Sequence, residues 1–189
     1  MTDDCVRRNF EQMKAALSVN YSKYRVNILK LFINREKPSI DLGCGAYMPK
    51  ILDTTHACDN SRLAYDFLKK QGWKGYFQVI ELSKILPYKD RQFKVAICSE
   101  VIEHLKTEKA ITQLIKEIDR ISERWIVTTP SVYFSDRDHK FFFTPNQLFK
   151  IMPWGYSEHK KRYIIFSKLN YYYITNDIER LGKLLDIKW

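Results

Sequence analysis

The chain has 189 residues, of which 45% are hydrophobic and 29% charged. Length and composition suit one globular domain with a single core, and exclude a disordered chain, a fibrous one, or two full-size domains. Lys and Arg total 32 against 22 Asp and Glu, so the formal charge is +10, which favours an anionic partner without identifying it.

The charge is uneven along the chain. Residues 1–37 hold 8 basic and 4 acidic side chains, residues 38–138 hold 15 and 14, and residues 139–189 hold 9 and 4. No apolar run approaches the ~20 residues of a membrane helix. The start, Met1-Thr-Asp-Asp-Cys5, is too acidic for a secretory leader. Cys5, Cys44, Cys58 and Cys98 form no C-x-x-C pair and read as reduced thiols of a cytoplasmic protein.

In chain order, residues 6–17 and 20–35 are expected to be helical. In the second, Val26, Leu29 and Ile33 fall on one stripe, widened by Ile28 and Phe32, and Pro38 ends the pattern. Residues 39–43 read as a buried strand entering a glycine turn, and residues 55–58 as a second strand followed by Asp59. A short helix interrupted by Pro49 connects them. Residues 61–71 form a helix stopped by Gly72, then strands cover 76–80 and 93–98. Ile111, Leu114, Ile115, Ile118 and Ile121 predict an amphipathic helix over 106–122. A fifth strand covers 124–129, and a polar loop covers 131–140. Thr144-Pro145-Asn146-Gln147 has the N-cap, first-turn proline and glutamine of a capping box. Strands over 162–166 and 171–175 and a helix over 176–185 finish the chain.

Strands alternating with helices, then two closing strands, predict an α/β fold with an open, mostly parallel sheet and an antiparallel edge. The whole of 1–189 is then one domain. Residues 1–37 form a helical lid, 38–150 a ligand-binding core, and 151–189 the closing strands and helix.

Ligands in such sheets bind at the carboxyl ends of the strands. After the first strand, Asp41-Leu42-Gly43-Cys44-Gly45 lets the backbone turn tightly and approach a ligand without a Cβ. A nicotinamide fingerprint would want glycine at Met48, and no G-x-x-x-x-G-K loop is present. Asp59 after the second strand is placed either to bind both hydroxyls of a ribose or to cap the next helix.

Two stretches extend the pattern: Leu86-Pro87-Tyr88-Lys89-Asp90-Arg91-Gln92-Phe93, and Ser99-Glu100-Val101-Ile102-Glu103-His104-Leu105. With Ile40–Gly45, these resemble the class I S-adenosylmethionine-dependent methyltransferases of the type 11 group over about residues 38–150. The resemblance implies a Rossmann-like methyltransferase fold with S-adenosylmethionine over Asp41, Gly43, Cys44 and Gly45, and with Asp59 on its ribose. It also implies Glu81 and Leu82 near the adenine, and Ser99 and Glu100 facing the methyl group. Tyr47 stands where the group has its third glycine, and Lys94 where it has an Asp.

Glu100, Glu103 and His104 have i, i+3, i+4 spacing. On the first turn of a helix they would share one face, a reasonable set for Mg²⁺ or Mn²⁺. His139 lies in Asp138-His139-Lys140-Phe141, in a loop that should open on the same sheet edge. E-x-x-E-H with a later D-H-K-F is similar to the small-RNA 3′-terminal 2′-O-methyltransferases. That similarity implies Glu100, Glu103, His104 and His139 as metal ligands and catalytic residues. Glutamates early in a helix also complement its dipole, the alternative reading of the pair. His56 and His159 have no constellation around them. The base-amine motif N/D-P-P-Y/F is replaced by Ser99-Glu100-Val101-Ile102, which disfavours methylation of adenine or cytosine amines.

The expected function is O-methylation. RNA or another phosphate-bearing substrate is favoured by the basic flanks and by Tyr171, Tyr172 and Tyr173, which could stack bases beside Arg162 and Lys168. A small-molecule methyltransferase and an inactive binding module are the alternatives.

Overall fold

The computed structural model describes residues 3–4, 6–8, 10–11, 20–131, 138–152 and 164–186. Cys5, His159, Arg162 and most of the 131–140 loop lie outside these residues, as do 12–17 of the first expected helix.

The described residues between Asp3 and Glu11 are helical. They are followed by α1 (Asn20–Ile33), β1 (Ser39–Leu42), α2 (Met48–Leu52), β2 (His56–Asp59), α3 (Arg62–Lys70), β3 (Tyr76–Val79) and β4 (Phe93–Ser99). A 3₁₀ turn (Ile102–His104) then leads to α4 (Glu108–Ile121), β5 (Ser122–Pro130), α5 (Pro145–Ile151), β6 (Ile164–Lys168), β7 (Tyr171–Thr175) and α6 (Ile178–Leu184). No helix among the described residues is long and apolar enough to cross a membrane.

The seven strands form one sheet in the order β3-β2-β1-β4-β5-β7-β6. β1 to β5 are parallel, and β7 is antiparallel to both β5 and β6. The expected mostly parallel sheet with an antiparallel edge is present. Strand order reverses between β1 and β4, so the crevice for a ligand opens past Leu42 and Ser99.

Period-2 alternation in the strands sends side chains to two layers. Ala96, Cys98, Trp125 and Val127 pack against the apolar stripe of α4 and against Leu148 and Ile151 of α5. Val95, Ile97 and Ile126 pack against Val26, Leu29, Phe32 and Ile33 of α1, Met48 of α2 and Leu181 of α6. Helix α4 is capped by Thr107, whose side chain accepts from the Ala110 N–H, and α5 has the full capping box expected at Thr144 and Gln147. Pro49 does not interrupt α2. It sits in the first turn, where a missing N–H costs nothing.

Tyr171, Tyr172 and Tyr173 are 4%, 6% and 0% exposed, which overturns the expectation that they stack bases. They are β7 strand residues facing core on both sides of the sheet. Cys44, Cys58 and Cys98 are buried, unbridged thiols, and His56 is a strand residue edge-on to Phe93.

Candidate active site

The glycine turn after β1 is built by hydrogen bonds to β2. The Gly43 and Cys44 N–H groups both donate to the Cys58 carbonyl, at 2.8 and 3.1 Å. Gly43 has φ +70, and a Cβ there would stand 2.5 Å from Val101 Cγ2, so the turn and the β4 loop interlock only around glycine. Asp59 joins the two sides. One carboxylate oxygen accepts from Gly45 N–H at 3.1 Å and the other from Ser61 N–H at 3.0 Å. Asp59 organises the turn before α3, whose N-cap is Ser61, so Asp59 is not the cap residue, and its carboxylate also lines the cavity.

That cavity has a volume of about 350 Å³. Gly43, Asp59 and Asn60 form one wall, Glu81, Leu82 and Ser83 another, and Val101, His104, Leu105, Lys106, Thr107 and Ala110 the third. The mix fits a nucleoside: a carboxylate for hydroxyls, and apolar Leu82, Val101, Leu105 and Ala110 for a flat base. Of the expected cofactor residues, Gly43, Asp59, Glu81 and Leu82 line the cavity. Asp41, Cys44, Gly45 and Ser99 do not. Asp41 is a buried β1 residue and Gly45 serves as a donor to Asp59. Cys44 packs with Leu68 and Trp73, and burial pushes its thiol well up. Ser99 bonds Thr128 Oγ1 at 2.9 Å and accepts from Arg25. Tyr47 stays clear of the cavity walls. It is half-buried against Val6 and Ala46 on one side and the α1 core on the other, with its hydroxyl in the field of Arg25, Glu100 and Asp41.

A second group of side chains adjoins this cavity through His104. Ligand atoms of Glu103, His104 and His139 all lie within 4.8 Å of one another. The main chain assembles them: the Glu103 carbonyl accepts from Lys140 N–H at 2.7 Å and from Phe141 N–H at 3.2 Å, which pins the His139 loop beside the 3₁₀ turn. The His104 and His139 rings meet edge to face at 4.8 Å. His104 Nδ1 lies 3.1 Å from the Asp138 carbonyl, which can only accept, so Nδ1 is the donor in this contact. Glu103 is 1% exposed. Its Oε2 accepts from Thr129 Oγ1 at 3.0 Å, while Oε1 is buried with no hydrogen-bond partner. Burial, and then the nearby Glu100, push the Glu103 carboxyl well above the usual range.

Glu100 stands apart from this trio. The expectation that Glu100, Glu103 and His104 share a helical face is corrected by the backbone. Glu100 has φ +58 and lies outside the 3₁₀ turn, which starts at Ile102. Its carboxylate instead accepts from Thr128 Oγ1 at 3.2 Å and lies 3.6 Å from the Arg25 guanidinium.

Sequence reasoning missed Arg25, Thr128, Thr129, Val101 and Asn60. The two adjacent threonines before Pro130 were a usable signal, being polar residues at the carboxyl end of a buried strand. Arg25 had a weaker one, a long cation beside the apolar stripe of α1.

A family model described as a methyltransferase domain matches residues 40–124. Solved structures share the fold. The PH0226 protein of Pyrococcus horikoshii is 18% identical with a TM-score of 0.58, over 84% of this chain and 91% of that one. A methyltransferase dependent on S-adenosylmethionine from Thermotoga maritima is 15% identical, TM-score 0.59, over 89% and 95%. One from Clostridium acetobutylicum is 13% identical, TM-score 0.57, over 92% and 97%. No curated protein matches the sequence. Sheet order, strand-end cavity and the domain match over residues 40–124 together give this chain the methyltransferase fold.

Proposed function

We propose that this chain is an S-adenosylmethionine-dependent methyltransferase that acts on a hydroxyl oxygen of a phosphate-bearing substrate, with RNA the favoured example, and that Mg²⁺ or Mn²⁺ assists. The observation that carries the reading is the Glu103, His104 and His139 trio, which shares His104 with the cofactor cavity. A buried carboxylate oxygen with no donor is costly unless a cation takes it, and Glu103 Oε1 is such an oxygen. Two imidazoles and one carboxylate suit a divalent ion of the Mn²⁺ or Mg²⁺ type and leave coordination positions for substrate oxygens. When bound, such an ion lowers the pKa of a hydroxyl on it. The protein contributes the rest: cavity walls that orient the methyl donor, and Thr129 and the Asp138 carbonyl that orient the ligands.

The substrate part rests on charge. The segment with the methyltransferase motifs is nearly neutral, while residues 1–37 and 139–189 carry net charges of +4 and +5. Lys and Arg on flanking segments are the residues that neutralise phosphates.

The test uses the full chain, S-adenosylmethionine with a labelled methyl group, and a short oligoribonucleotide. Label should enter the RNA with Mn²⁺ and be lost in excess EDTA. Undiminished transfer in EDTA would sink the metal. Transfer to small hydroxylated molecules but not to RNA would sink the substrate assignment.

A further inference from the structure

Arg25 is the buried charge that the site described so far leaves unexplained. It projects from α1 to the carboxyl ends of β4 and β5 and the amino end of β7, and is 8% exposed. Its Nη1 donates to Ser99 Oγ and lies 3.6 Å from Glu100 Oε1, and its guanidinium carbon sits 4.9 Å from the centre of the Tyr171 ring. Its Nε–H is buried without an acceptor. A guanidinium is always charged, so burial of this kind demands a counter-ion, and the carboxylate beside it is Glu100.

Resting on the metal reading above, we infer that Arg25 is a positioning residue that withholds Glu100 from the metal, so that the ion is held by Glu103, His104 and His139 alone. Three independent features converge on this. The φ of +58 at Glu100 takes it off the turn that presents Glu103 and His104. Thr128 donates to the Glu100 oxygen that faces Arg25, so hydroxyl and guanidinium hold the carboxylate from the same side. The ligand atoms that converge within 4.8 Å come from the other three residues only. Moving Glu100 onto the ion would strip a buried guanidinium of its counter-charge. A three-ligand site keeps more coordination positions for substrate oxygens than a four-ligand one. The same contacts tie α1 to the carboxyl ends of β4 and β5.

The test reads Mn²⁺ binding to the full chain by calorimetry and by electron paramagnetic resonance, with no turnover involved. Glu103→Gln or His139→Ala should weaken Mn²⁺ about tenfold or more, the scale of losing a direct ligand or its support. Glu100→Gln should change affinity less than about threefold, because a neutral amide there leaves all three ligands in place. Arg25→Met should release Glu100 as an added ligand and tighten Mn²⁺ about tenfold, a gain that Arg25→Met with Glu100→Gln should erase. A tenfold or larger loss in Glu100→Gln would overturn the inference while leaving the metal reading intact. A wild-type chain that ignores millimolar Mn²⁺ would take down both. Should Arg25→Met fail to fold by circular dichroism, Glu100→Gln alone decides.

Discussion

Asp41 should make this protein lose stability as pH rises through neutrality. It lies in β1 between Ile40 and Leu42, is 1% exposed, and has a buried Oδ2 with no hydrogen-bond partner. Burial, and then the neighbouring Asp59, raise its carboxyl from 3.8 to about 8, with Arg25 pulling the other way. The folded-state pKa is therefore above the unfolded one. Such a group is most favourable below the unfolded value near 4, and its contribution falls away as pH climbs towards 8. Between pH 5 and pH 8 the folded chain keeps a proton that the unfolded chain has released. At about 1.36 kcal/mol per pH unit, that is about 4 kcal/mol over three units, a large share of a domain stability of about 5–15 kcal/mol. Asp41→Asn has nearly the same shape and no proton to keep. Urea unfolding of both proteins at pH 5, 6, 7 and 8, followed by tryptophan fluorescence without cofactor, separates Asp41 and the groups coupled to it from the rest of the titrating background. The wild type should lose about 4 kcal/mol more than Asp41→Asn across the range. Parallel pH curves would refute the reasoning, because they would mean that Asp41 ionises in the fold without penalty.

Two further outcomes concern the cofactor walls. Gly43→Ala places a methyl 2.5 Å from Val101 Cγ2 at a φ of +70, so calorimetric affinity for S-adenosylhomocysteine should fall about tenfold or more. An unchanged affinity would show that Val101 gives way and that the interlock does not shape the cavity. Asp59→Ala removes the acceptor for both Gly45 and Ser61 N–H groups, so it should weaken the cofactor and also cost about 1–3 kcal/mol in urea unfolding. Loss of affinity with full stability would leave Asp59 a ribose ligand only, and unchanged affinity would remove it from the cofactor site.

The chain's local structure was legible residue by residue. Periodicity located α4, the Thr144 to Gln147 spacing located α5, and alternating strands and helices specified the parallel sheet. Those signals act over a few residues, through side-chain direction and capping hydrogen bonds, so a linear reading captures them. Gly43 and Asp59 were legible because strand ends line the crevice where the order reverses, whereas Glu81 and Leu82 came only from the family resemblance.

Tertiary structure decided what those residues meet. Glu100 and Glu103 look equivalent by spacing, but a left-handed backbone at Glu100 and the approach of Arg25, 75 positions away in the chain, gave them different partners. His139 reaches His104 only because Lys140 and Phe141 bond the Glu103 carbonyl. Tyr47 is held between apolar side chains from two segments. The three tyrosines of β7 are core because β7 is inserted between β5 and β6. Each of these depends on long-range packing, which is set by the whole sheet and has no local periodicity to announce it.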